Sequence, residues 1–202
     1  MTTFDLDYVR ENFPAFSAPS LKNQRFFENA GGSYMSQQVI DRFNNYFENR
    51  RVQPYYSFKA SKNAGSEMDL AYLRFAQYLN VDAGEILFGP STSQNTYVIA
   101  NALKSSLREG DTVIVSGQEH EANSGAWRKL SKLGVNVRTW PINKYDGRLK
   151  LEDLQALMDR SVRVVAVTHC SNIVGEINPI SEISKIVHSF SSILIVDGVS
   201  FC

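Results

Sequence analysis

Four short polar stretches follow or flank apolar runs, and each is suited to a different task. Ser91-Thr92-Ser93, after Gly89-Pro90, puts three hydroxyls at the start of a predicted helix. Free N–H groups and the dipole favour an anion there, although plain N-capping also selects Ser and Thr. The turn lacks a Walker A ending and a GxGxxG spacing. Glu119-His120-Glu121-Ala122-Asn123 offers an imidazole at a strand end. That ring can stack on a flat ring or exchange protons near neutrality, or simply brace its loop. In Thr168-His169-Cys170-Ser171-Asn172-Ile173-Val174-Gly175, Asn172 supplies a donor and an acceptor or initiates a turn. His169 reads as a brace of the sheet edge and Cys170 as a buried, inert thiol. Asp197 closes the apolar run Ile193-Leu194-Ile195-Val196. A carboxylate at the end of a buried strand is costly unless a cation meets it; the alternative is a cap or loop brace.

An anion site, a stacking ring, an amide and a carboxylate form the set needed to hold pyridoxal phosphate. The carboxylate keeps the pyridine nitrogen protonated, which makes the ring an electron sink.

The elements that position these residues alternate regularly from residue 85 onward. Strands are predicted at Glu85–Phe88, Thr112–Ser116, Val135–Pro141, Val162–Thr168 and Ile193–Asp197. Helices are predicted from Ser91 to about Leu107, after the Thr112–Ser116 strand through Leu133, at Leu151–Met158 and at Ile180–Ser189, with a turn at Asp146-Gly147. Such alternation predicts an α/β fold: a mostly parallel sheet flanked by helices in three layers, its strands buried on both faces. In a parallel sheet the four polar loops share one edge, where ligands bind. Residues 1–60 read as a separate amino-terminal segment and 61–202 as the sheet domain. The segment holds a short helix near Asp5–Phe13, a strand-like Phe26-Phe27 pair, and Ala30-Gly31-Gly32, whose glycines suit a sharp turn or close approach. Ser36 is placed to cap a helix to about Arg50, with Val39, Ile40, Phe43 and Phe47 on one stripe. A loop over 51–63 leads to a helix at Ser66–Leu79.

Composition narrows the classes. Twenty-one basic and 21 acidic residues cancel in 202, so no global field draws in nucleic acid or an anionic membrane. No apolar run approaches the roughly 20 residues that span a bilayer, and the amino terminus lacks signal-peptide order. Cys170 and Cys202 make no metal or CxxC spacing, so no metal site is expected and a reducing cytoplasm fits.

The chain resembles the large domain of class V aminotransferases, closest to their cysteine-desulfurase-like branch. The resemblance rests on Phe27-Glu28-Asn29-Ala30-Gly31-Gly32, Ser91-Thr92-Ser93, Glu119-His120-Glu121-Ala122-Asn123, the stretch from Thr168 through Asn178-Pro179, and Val196-Asp197-Gly198, in order. It implies an incomplete pyridoxal-phosphate large domain acting on an amino acid as a homodimer. Thr92 and Ser93, beside Ser91, would hold the phosphate. His120 would stack on the ring and shuttle protons. Asn172 would approach the phenolic oxygen or the substrate carboxylate, and Asp197 the ring nitrogen. Ala30, Gly31 and Gly32 would lie near the substrate. Ser200 stands where the family often has glutamine, and its hydroxyl is shorter.

The family's Schiff-base lysine lies beyond the aspartate strand, whereas all nine lysines here precede Asp197. The expectation is therefore a fragment, inactive alone, that requires a downstream half. Two other readings compete: a non-catalytic module that binds the cofactor or a protein, and a nucleotide-binding α/β domain using Ser91–Ser93.

Overall fold

The computed structural model describes residues 4–201. The chain divides into two compact units, residues 1–88 and 89–202. Composition places a change near residue 60, but a helix crosses that point without a break.

The first unit is helical. Helix α1 (Leu6–Glu11) starts where Asp5 Oδ1 accepts the Tyr8 N–H at 2.9 Å. Helix α2 (Gln37–Asn49) begins at Ser36, whose side chain makes no capping bond. Its predicted stripe is not buried: Phe43 and Phe47 are 56% and 59% exposed. Helix α3 (Lys59–Leu79) starts seven residues before the predicted Ser66. Gly65 lies inside it, and the Tyr55 ring occupies the space its side chain lacks, 2.7 Å from where a Cβ would stand. Ser61 Oγ ties the preceding loop to the first turn by accepting the Tyr56 N–H at 2.7 Å. Arg42 of α2 and Arg50, its C-cap, both reach Glu67 of α3, at 2.8 and 2.9 Å. The predicted strands at Phe26-Phe27 and Glu85–Phe88 do not form. A ladder needs a neighbour, and among the described residues neither segment has one. Glu85 instead closes a 3-10 turn, accepting the Asp82 N–H at 2.9 Å.

The second unit is the expected three-layer α/β fold. Strands β1 (Thr112–Ser116), β2 (Asn136–Trp140), β3 (Val162–Thr168) and β4 (Ile193–Asp197) form one parallel sheet in the order β2-β1-β3-β4. Alternation along the strands divides the core. Val113, Val115, Val164 and Ala166 face Ala100, Trp127 and Leu130. These come from helix α4 (Thr92–Lys104), helix α5 (Glu121–Arg128) and the 3-10 turn that continues α5 to Leu133. On the opposite face, Ile114, Val165 and Val167 pack with Trp140, Leu154, Ile183 and Val187, drawing in helices α6 (Leu151–Leu157) and α7 (Ile180–Ser189). Both buried tryptophans find acceptors, as indoles in cores must: Trp140 donates to Lys150 O at 3.0 Å and Trp127 to Asn123 Oδ1 at 3.4 Å.

Of the two central strands, β1 is buried throughout and β3 everywhere except Arg163. The expectation of burial on both faces fails for β2 and β4, which are edges of the four-stranded sheet. In β4, Ile193 and Val196 are 44% and 38% exposed. Asp197 is half-buried rather than enclosed.

Candidate functional site

The strand order creates a switch point. From β1 the chain goes outward to β2 on one side, then returns to β3 on the other. The crevice beyond the carboxyl ends of β1 and β3 is where such sheets bind ligands. Three of the predicted loops leave from this edge.

The first loop runs from β1 into α5. Gly117 permits a close approach: a Cβ there would stand 2.8 Å from Ile142 Cγ1 and 3.2 Å from the Trp140 carbonyl. Gln118 donates to the Gly147 carbonyl at 2.5 Å. His120 is the exposed N-cap of α5, and its Nδ1 accepts the Ala122 N–H at 3.1 Å. That bond assigns the remaining proton to Nε2 in the neutral ring.

The second loop follows β3. Asn178 is buried and donates to Gln118 Oε1 at 2.8 Å and to the Thr168 carbonyl at 2.9 Å. One amide therefore locks the β1 and β3 loops together. His169 braces the edge as expected: its N–H donates to the Asp197 carbonyl at 2.8 Å, and its ring stacks on Phe201 at 3.6 Å. Asn172 is half-buried within the turn after β3. Cys170 is half-buried, not enclosed, because its loop curls at the rim as an isolated bridge to Ile177.

The third loop follows β4. Asp197 sits in register with Thr168. Its Oδ1 accepts the Val199 N–H at 3.0 Å, and it forms no ion pair among the described residues. Ser200 is exposed in the turn beyond.

Helix α4 carries the remaining expected group. It delivers the chain to the amino-terminal end of β1, so its own start lies toward the carboxyl edge; thirteen residues rise ~20 Å. Ser91 is the cap, its Oγ accepting the Gln94 N–H at 3.2 Å. Thr92 is half-buried and Ser93 exposed. Their hydroxyls make no hydrogen bond among the described residues, which leaves them free for an anion. Ala30, Gly31 and Gly32 belong to the other unit. There Gly31 N–H donates to Glu28 Oε1 at 3.0 Å, Gly32 takes φ of +147°, and the two glycines, without Ala30, line a cavity of about 400 Å³ with Phe26 and Tyr34.

Sequence reasoning passed over Glu119, one residue before His120. It is partly buried and accepts from Ser116 Oγ at 2.7 Å and Asn123 Nδ2 at 2.8 Å. Burial pushes its carboxyl up to about 7 against those bonds, and the charge of Asp197 pushes the same way. An acid three residues past a fully buried strand was the available signal. Among the described residues no cluster could hold a metal ion, and no helix is long and apolar enough to cross a membrane.

The arrangement offers hydroxyls at a helix start, a neutral imidazole, an amide and a cation-free carboxylate. Such donors fit a flat, phosphorylated, cationic ring.

Residues 25–202 match the model of the class-V aminotransferase family. An aminotransferase-like protein of Gibberella zeae is 36% identical over 99% of this chain and 50% of its own length. A cysteine desulfurase of Shigella sonnei is 31% identical over 97% of this chain and 49% of its own. Among solved structures, a cysteine desulfurase of Thermococcus onnurineus superposes with a TM-score of 0.88 at 23% identity, covering 98% of this chain and 48% of that one; this likeness speaks for the fold. The chain thus spans about half the length of the curated relatives it matches, and it belongs to the class-V aminotransferase family.

Proposed function

We propose that this chain carries the cofactor bed of a pyridoxal-phosphate enzyme of the cysteine-desulfurase-like type, acting on an amino acid. Pyridoxal phosphate is the cofactor of the family. When bound it supplies an electron sink for carbanion chemistry. The chain's own residues would do the rest. Thr92 and Ser93, with the α4 amino terminus behind them, hold the phosphate, while Ser91 fixes the turn. His120 covers the ring with a neutral imidazole and can move a proton at Nε2. Asn172 and Ser200 approach the ring's oxygen side. Asp197 holds the proton on the ring nitrogen. Ala30, Gly31 and Gly32 leave room for the substrate.

The observation that carries this reading is Asp197: a strand-end carboxylate beside the switch point with one backbone donor and no cation. Turnover would further need a Schiff-base lysine. The nine lysines present are all exposed, and none stands in the family's place after Asp197. We assign the working form to a homodimer in a reducing cytoplasm, where Cys170 stays a free thiol. The test is to add pyridoxal phosphate to the chain and follow its absorbance and fluorescence. Saturable binding that Asp197→Asn weakens supports the reading. Equal binding by both, or protection by nucleotides instead, rejects it.

A further inference from the structure

Asp197 stands where the sheet runs out of neighbours. β4 is an edge strand, and among the described residues it pairs with β3 alone, up to Thr168 and Asp197. The turn beyond is thinly packed: Val199 and Phe201 are 68% and 48% exposed. Yet this turn fixes the Asp197 side chain, because the Val199 N–H donates to Oδ1 at 3.0 Å. The Phe201 N–H closes the turn by donating to the Gly198 carbonyl at 2.9 Å. From the loop after β3, His169 reaches across to it twice. Its backbone N–H donates to the Asp197 carbonyl at 2.8 Å, a bond that any residue but proline could make. Its ring makes the contact that depends on residue type. It lies on the Phe201 ring with centroids 3.6 Å apart and planes 27° from parallel, and aromatic pairs are favourable beyond the area they bury.

We propose that His169 is a positioning residue for Asp197. Its imidazole clamps Phe201, the clamp keeps the turn closed, and the closed turn holds the carboxylate in one rotamer, with Oδ1 on the Val199 N–H and Oδ2 left for a ligand. The two histidines of this edge then divide the work. His120, the exposed cap of α5, meets a bound ring directly, whereas His169 acts only through Asp197. The hold on the carboxylate stands on the contacts above; its consequence for pyridoxal phosphate rests on the cofactor reading.

Three-bond couplings across the Asp197 Cα–Cβ bond, measured by NMR on the ligand-free chain, read the rotamer directly. One rotamer is expected in the parent chain and in His169→Phe, which keeps a flat ring. Averaging over rotamers is expected in His169→Ala and in Phe201→Ala. A single rotamer in all four, or averaging in the parent, overturns the proposal. Pyridoxal phosphate binding, followed by cofactor fluorescence, tests the consequence. His169→Ala should weaken it about fivefold, and His169→Phe should bind as the parent does. In an Asp197→Asn background His169→Ala should cost nothing further. Losses that add in the double variant overturn the proposal, because they place the effect of His169 somewhere other than Asp197. Absence of binding by the parent, with the couplings as expected, rejects the cofactor reading and supports the clamp.

Discussion

The inner and outer halves of the carboxyl edge are built differently. Around β1 and β3 the polar side chains are spent on the protein itself: Asn178, Gln118, Glu119, Ser116 and Asn123 bond one another or nearby carbonyls. Among the described residues no buried side-chain nitrogen or oxygen lacks a partner. Toward the rim the groups are under-used. Asp197 has one backbone donor, Thr92 and Ser93 have free hydroxyls, and Ser200 is exposed. The inner half holds the loops, and the outer half has capacity left for a ligand. Stability and binding should therefore separate by position.

The largest expected break is on the inner side. Asn178→Ala leaves Gln118 Oε1 and the Thr168 carbonyl without a donor in a buried place, so it should cost about 3 kcal/mol in urea unfolding. Gly117→Ala drives a methyl toward the Trp140 carbonyl and Ile142; a cost of about 2 kcal/mol is expected in the same assay. Asp197→Asn, on the outer side, should do the reverse. Its urea midpoint should hold or rise, because the half-buried Asp197 carboxylate has no cation to offset its charge and Asn keeps an oxygen for the Val199 N–H, while affinity for pyridoxal phosphate falls about tenfold, or ~1.4 kcal/mol. Ser91→Ala removes one cap and should cost about 1 kcal/mol.

The contrast has a pH signature. Glu119 has its folded-state pKa raised from 4.5 to about 7, so between those values the folded chain binds more protons than the unfolded one. Stability should fall as pH rises through that window and level off above it. Thermal melts of Glu119→Gln should lose that component of the slope.

Much of the sheet unit was legible in advance because its physics is local. β1, β3, β4 and α7 fall at their predicted residues, since apolar runs between turn signals mark the strands of one sheet whether central or at its edge. The first unit was harder. Phe26-Phe27 and Glu85–Phe88 look like strands but find no ladder, and the polar stretch 51–63 read as a loop although α3 begins within it at Lys59. The candidate site divides the same way. His120, Asn172 and Asp197 were visible as polar residues ending apolar runs. Glu119, Gln118 and Asn178 were not, because their role depends on bonds between loops far apart in sequence: Asn178 meets Gln118 across sixty positions.

The most direct measurement is pyridoxal phosphate binding by the chain and by Asp197→Asn, followed by cofactor fluorescence beside a urea melt of each. The predicted result is saturable binding by the parent chain, about tenfold weaker in the variant, with unfolding midpoints that agree or favour the variant. Equal binding by the two folded proteins, or none by either, would contradict the assignment of Asp197 to the cofactor ring.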